Sequence, residues 1–292
     1  MKKIAVGIIA VLSLVLLQPV QAQTAKSIVI IDTAIDSSIP QLKEKIVQEV
    51  CILDRMLCPN GTRFQEGLGS ATLTPAQIKA NGFDHGTSMA LIANKVNPDA
   101  NIIFIRIVGM RANGTQDNYN VFDIEKALSW VILNKEKYNI SSVSASMGSN
   151  IVGTGPKYCP TNATHSGLVG NIDKLLSLNV PTIFAAGNNR DYKRINFPAC
   201  IAQAVAVGGA TEGNTMSPFS NAAPEVDFYF LEVFNVNNKT VRGTSASAAA
   251  FSAYWAKNYK GTYQSTYDYF VSISKKAVGR TTATDRLVSL LG

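Results

Sequence analysis

Short apolar runs alternate with longer amphipathic segments from about residue 26 to residue 210, and this alternation constrains the fold of the chain more than any other feature. KSIVIID (26–32) is a β-rich run that ends on a carboxylate, and HGTSMALIANKV (85–96) reads as a helix. NIIFIRIV (101–108) reads as a strand, NVFDIEKALSWVILNKEKY (120–138) as a long helix, and ISSVSASMG (140–148) as a strand ending in a turn. HSGLVGNIDKLLSLN (165–179) is again helical, followed by the strands VPTIFAAGNN (180–189) and IAQAVAVGGA (201–210). Strands separated by helices predict a mostly parallel central sheet covered on both faces, a three-layer α/β/α fold. Residues 51–84 read as one irregular insertion. No repeat or linker interrupts residues 23–292, which are expected to form a single domain.

The first 22 residues have another character. Lys2 and Lys3 precede the apolar run IAVGIIAVLSLVLL, and VQA (20–22) places a small residue at a cleavable point, the pattern of an export signal. The run is short for a membrane span. The expected product begins at Gln23, is released from the membrane, and works in a periplasm or the medium. The formal charge of +7 carries no Lys/Arg run, so a solvated basic surface is expected rather than a nucleic-acid partner.

Cys51, Cys58, Cys159 and Cys200 all lie in the exported part. An oxidising destination and an even count point to two disulfides among three connectivities. Closeness in sequence favours Cys51 with Cys58 and Cys159 with Cys200. No C-x-x-C is present and only His85 and His165 could assist, so no metal site is expected.

In parallel sheets, sites form beyond the carboxyl ends of the strands, and polar residues collect there in this chain. Asp32 closes the first strand, Ser146 and Gly148 close the 140–148 strand, and Asn188 follows FAAG. Hydrolysis by an activated serine needs a hydroxyl, an imidazole base, a carboxylate to orient it and oxyanion donors. Asp32, His85, Ser245 and Asn188 supply these groups. Ser247 is a rival hydroxyl two residues on, His165 reads as a surface or capping residue, and Arg190, Lys193 and Arg194 as surface charges. Neither G-x-G-x-x-G nor a P-loop is present, and no cofactor is expected.

DTAID (32–36), DHGTSMA (84–90) and RGTSASA (242–248) resemble the Asp, His and Ser motifs of the subtilases, the subtilisin-like serine peptidases of family S8. AAGNN (185–189) and SMG (146–148) resemble the family's oxyanion and substrate-binding strand ends, and FPACIAQAVAVGG (197–209) and MSPFSN (216–221) follow its course. The resemblance implies a subtilisin-like fold and a secreted serine endopeptidase with Asp32, His85 and Ser245 as triad. It implies Asn188 as oxyanion donor, and Ser146, Met147, Gly148, Ala186 and Gly187 beside the substrate. It also implies that ANGT (112–115) pairs with substrate backbone as an added strand. Ala34, Ser88, Met89 and Ala249 depart from the family's usual residues without removing a catalytic group. Only residues 23–31 separate the cleavage point from Asp32, so no prodomain is expected and an external inhibitor or chaperone is implied as a partner. No calcium loop is recognised after His85. Peptide or protein substrates are the expected ligands. A non-catalytic subtilase-fold protein that binds peptides or a partner is the alternative.

Overall fold

The computed structural model describes residues 25–148, 159, 165–213, 215–276 and 286–289. The expected export signal at 1–22 lies outside these residues. The chain runs through β1 (Ser27–Asp32), α1 (Pro40–Lys43), β2 (Ile46–Ile52), β3 (Phe64–Glu66), α2 (Pro75–Asn81), α3 (Asp84–Val96) and β4 (Asn101–Arg106). It continues with α4 (Val121–Asn134), β5 (Ile140–Ala145), α5 (Ser166–Ser177), β6 (Thr182–Ala185) and β7 (Val205–Ala210). β8 (Phe228–Leu231), β9 (Val233–Val236), β10 (Lys239–Arg242), α6 (Thr244–Lys257), α7 (Tyr263–Ile273), β11 (Lys275–Lys276) and β12 (Arg286–Leu287) complete the order.

Ten strands form one sheet in the order β11-β12-β8-β7-β6-β5-β1-β4-β2-β3, antiparallel only at its two outer pairs. β1 sits between β4 and β5, so the chain builds β2 and β4 on one side of it and then crosses to build β5 to β8 on the other. Loops leaving the carboxyl ends of β1 and β5 therefore diverge, which opens a crevice at that reversal.

Every residue of β1 is buried. Val29 and Ile31 pack with residues of α4 and α5, whereas Ile28 and Ile30 pack with residues of α3 and α6. The strand's two-residue period thus feeds two separate cores and gives the three layers. The expected α/β/α architecture is the one observed.

α6 is the most deeply packed helix. Its run of alanines leaves little side chain between the helix and the sheet, and two buried serines join them: Ser142 Oγ donates to the Ser252 carbonyl at 3.0 Å and Ser252 Oγ to Ser142 Oγ at 2.9 Å. Phe251, fully buried, extends from α6 into a ring cluster with Phe228, Phe230, Trp255 and Phe270.

The segment 51–84 is more regular than its sequence indicates. β2 runs into it, and β3 pairs antiparallel with β2 through Val50↔Glu66 and Ile52↔Phe64. α2 follows with Pro75 in its first turn, Thr74 and Gln77 forming a reciprocal capping box, and Gly82 closing it with a left-handed φ of 68°. Cys51 is bonded to Cys58 and Cys159 to Cys200, the pairing that sequence closeness favours. Among the described residues no helix is long and apolar enough to cross a membrane.

Truncating Phe251 to Ala removes a ring that four others touch and is expected to destabilise the domain by about 3–5 kcal/mol. Denaturant unfolding measures this, and a loss under about 1 kcal/mol would contradict its place at the centre of the core.

Candidate active site

Asp32 ends β1 with no exposure to solvent. Its Oδ1 accepts the Thr33 N–H at 2.7 Å and lies 2.8 Å from His85 Nδ1. A carboxylate can only accept, so Nδ1 carries the proton and the lone pair of Nε2 is left for other partners. The His85 side chain is 36% exposed. Burial works against a charge on the ring, but the attraction and hydrogen bond of Asp32, with a contribution from Asp84, outweigh it and raise the pKa above its ordinary value.

His85 owes its position to the way α3 meets the turn after β1. Thr33 Oγ1 donates to the Phe83 carbonyl at 2.9 Å and accepts the Gly86 N–H at 3.0 Å, while the Asp36 N–H donates to Thr87 Oγ1 at 2.9 Å. A Cβ on Gly86 would lie 2.5 Å from the Ala34 carbonyl oxygen, so only glycine admits this approach. Ala34 itself is buried and does not adopt a positive φ, so alanine fits where glycine is usual in the motif.

Ser245 lies in the first turn of α6, beside α3 on the same face of the sheet. From Gly243 to Ala253 it is the only residue that is not fully buried. Gly243 precedes it with φ 122°, a conformation suited to glycine. The helix has no cap of its own; the capping group comes from the loop after β6. Asn188 Oδ1 accepts the Thr244 N–H at 3.0 Å and the Thr244 hydroxyl at 3.2 Å, and Thr244 Oγ1 accepts the Gly187 N–H at 3.2 Å. With its oxygen engaged, Asn188 presents Nδ2 elsewhere. Among the described residues neither Asn188 Nδ2 nor the Ser245 N–H has a hydrogen-bond partner. Two donors are thus left over at a helix N-terminus, where unpaired N–H groups and the helix dipole favour an anion. No hydrogen bond joins His85 to Ser245; such contacts often tighten only with substrate.

Ser146 Oγ donates to the Ser245 carbonyl at 3.2 Å, tying the end of β5 to α6. Met147 is half-buried and Gly148 exposed, while Ala186 is buried and Gly187, at φ 108°, is enclosed by Asn221 and Asn196. Residues 112–115 are not an open strand. Asn113 Oδ1 accepts from the Thr115 N–H and hydroxyl, and the Arg111 N–H donates to the Thr115 carbonyl at 2.9 Å, which folds the stretch into a closed turn. Ser247 is fully buried and donates to the Phe230 carbonyl at 3.1 Å, which removes it as a rival hydroxyl. His165 begins α5 without a side-chain cap and packs on Phe197. Arg190 lies over the Phe219 ring, and Arg194 pairs with Asp191 at 2.8 Å.

Residues 24–288 match the model of the subtilase family. The chain belongs to the subtilase family. It is 23% identical to a minor extracellular protease, Epr, of Bacillus subtilis over 75% of this chain and 30% of the relative. It is 24% identical to a cuticle-degrading serine protease of Arthrobotrys oligospora over 82% of this chain and 55% of the relative. The chain thus spans little more than half, or less, of these curated relatives. Among solved structures, a cold-adapted subtilisin-like serine proteinase superposes with a TM-score of 0.63 at 20% identity, covering 91% of this chain and 89% of that one. Proteases from Pseudoalteromonas arctica superpose at 0.69 and 16% identity, with the same coverage. At these identities the likeness is one of fold.

Two residues of this subtilase's site were not singled out from the sequence. Tyr119 is half-buried, and burial, with the Asp32 carboxylate nearby, pushes its pKa up to about 12 against a contact with the Gly148 amide. Asn221, the last residue of MSPFSN, is buried beneath the loop that carries Asn188. Its N–H donates to the Gly187 carbonyl at 2.8 Å, its Oδ1 accepts the N–H groups of Asn189 and Asp191 at 2.9 and 3.1 Å, and its Nδ2 donates to the Ala186 carbonyl at 3.1 Å and Asn196 Oδ1 at 3.2 Å. One side chain therefore shapes the chain on both sides of Asn188. Among the described residues no group of three His, Cys, Asp or Glu side chains could hold a metal ion.

Asn221→Ala leaves the Asn189 and Asp191 amides without their acceptor, at a cost of about 1–3 kcal/mol for each that stays buried. Hydrogen exchange is expected to accelerate at these two amides first. Unchanged protection there would show that the loop holds its shape without Asn221.

Proposed function

We propose that this subtilase is an exported serine endopeptidase in which Ser245 is the nucleophile, His85 the base, Asp32 the group that orients it, and Asn188 with the Ser245 N–H the oxyanion hole. The carrying observation is the pair of unpartnered donors at the start of α6, the Ser245 N–H and Asn188 Nδ2 from the loop after β6, together with a partly exposed Ser245 on the helix packed against α3, where His85 Nδ1 is committed to a buried carboxylate.

In this reading the Ser245 hydroxyl attacks a peptide carbonyl carbon while its proton passes to His85 Nε2. Negative charge gathers on the former carbonyl oxygen, which accepts hydrogen bonds from the two donors. The carbon–nitrogen bond then breaks, the amine takes the proton from His85, and an acyl group remains on Ser245. Water, deprotonated by His85, repeats the addition and releases the acid. Asp32 keeps the ring in the tautomer that can accept, and stabilises the imidazolium that forms. Ser146, Met147 and Gly148 on one side, and Ala186 and Gly187 on the other, flank the side chain that precedes the scissile bond. Two disulfides, the signal-like residues 1–22 and relatives named for extracellular or cuticle-degrading activity support export.

A serine-directed fluorophosphonate probe separates this enzyme from a peptide-binding protein of the same fold. Wild type is expected to be labelled, Ser245→Ala not, and Asn188→Ala to turn over substrate about 10²–10³-fold more slowly, the loss seen on removing one such donor in a subtilisin. His85 must be neutral to accept a proton and its pKa is raised, so labelling falls as pH drops through a midpoint above about 6.5. Folded wild type that takes no label, or Ser245→Ala labelled equally, would rule out the assignment.

A further inference from the structure

A cavity of about 800 Å³ lies along the same carboxyl edge of the sheet, between α1, the 57–59 loop, the 72–77 segment and the end of β4. Lys43, Leu57, Leu73, Pro75, Met110 and Arg106 are among its lining residues. Arg106 ends β4 in register with Asp32 on β1 and Cys51 on β2, and is only 3% exposed. Its Nε donates to the Val108 carbonyl at 2.9 Å, and its guanidinium carbon lies 5.7 Å from the centre of the Phe83 ring.

Nothing else among the described residues engages this cation. Neither terminal guanidinium nitrogen has a hydrogen-bond partner, and no carboxylate forms an ion pair with it. Asp32, though in register with Arg106, pairs with His85 and not with it. Buried Glu49 accepts from the Ala71 N–H at 3.0 Å and the Thr72 hydroxyl at 2.9 Å, and Asp36 accepts from the Ser38 N–H and hydroxyl. Burial pulls the Arg106 pKa down to about 10, with no anion to oppose it. A buried charge without a counter-ion is strongly unfavourable, and a charge that lines a cavity can find its counter-ion in a ligand. The guanidinium fork matches a carboxylate in two parallel bonds. The walls contributed by Leu57, Leu73, Pro75 and Met110 suit a carbon skeleton, in the pattern of small-ligand sites with a few placed polar groups.

We propose that this cavity binds an amphipathic carboxylate, the carboxyl end of an acylated amino acid or short peptide with an apolar side chain, with Arg106 holding the carboxylate and the apolar walls holding the side chain. Exposed Lys43 at the rim adds attraction for the anion. This site stands apart from Ser245 and does not depend on its chemistry.

Thermal shift with N-acetyl-leucine, and with N-acetyl-leucinamide as the uncharged control, tests the assignment on the full protein. Wild type and Ser245→Ala are expected to be stabilised saturably and alike by the acid and not by the amide. Arg106→Met is expected to melt no lower than wild type without ligand, since it removes an unpaired buried charge, and to bind the acid about ten- to a hundredfold more weakly. A matching response to the amide, to inorganic phosphate alone, or in Arg106→Met overturns the proposal, as does the absence of any response. Should Arg106→Met not fold, Arg106→Lys decides: it keeps the charge and loses the fork, so an unchanged affinity for the acid overturns the proposal equally.

Discussion

Asp32 carries a carboxylate to zero exposure at the end of the central strand, a costly position that two donors to its Oδ1 offset in part. The Thr33 N–H and His85 Nδ1 provide them, and both come from the junction between β1 and α3. The rest of the arrangement follows from that junction. Thr33, Ala34 and Asp36 hold the start of α3 against the turn, and Gly86 lets the two backbones meet. Because β1 lies at the reversal of strand order, the carboxyl end that carries Asp32 also borders the crevice on the β5 and β6 side.

The second half of the site is assembled by a different economy of hydrogen bonds. α6 has to be buried to fill the space beside the sheet, and its first turn brings backbone donors that no preceding residue can satisfy. Asn188 meets one of them through its oxygen and leaves its own amide nitrogen, with the Ser245 N–H, unpaired. Asn221 makes this exchange reproducible by fixing the loop on both sides of Asn188. The free donors at the start of α6 therefore depend on a cap supplied by the loop after β6, not on the helix alone. The small residues around Ser245 are part of the same requirement: Ala246, Ala248, Ala249 and Ala250 are fully buried and keep the helix close to β5 and β6, where Ser146 and Asn188 reach it.

What could be read from the sequence followed the strength of the local signals. The strands at 26–32, 101–108 and 180–189 and the helices at 85–96 and 165–179 carry continuous apolar runs or a helical period, and each is found within a few residues of its expected place. β2 was obscured because IVQEVCI contains the buried polar residues Gln48 and Glu49, the latter satisfied from afar by Ala71 and Thr72. The α2 start at Thr74-Pro75 with Gln77 and the turn at Asn113-Gly114 had legible local chemistry, a capping box and an Asx turn. Asn221 had none. Its partners at 186–196 lie 25 or more residues away in sequence, and only the folded chain brings them around one amide. Arg106 likewise looks like any strand-end cation until its burial and lack of an ion pair are seen.

The central claim is that Asn188 Nδ2 and the Ser245 N–H together await a negative oxygen. The structure of the protein after reaction with a fluorophosphonate addresses it most directly. The account predicts phosphorus bonded to Ser245 Oγ, with one phosphonyl oxygen within hydrogen-bonding distance of both donors and the Asn188 Oδ1 still on Thr244. An adduct whose phosphonyl oxygen points away from both donors, or an Asn188 side chain that leaves Thr244 to point elsewhere, would contradict it.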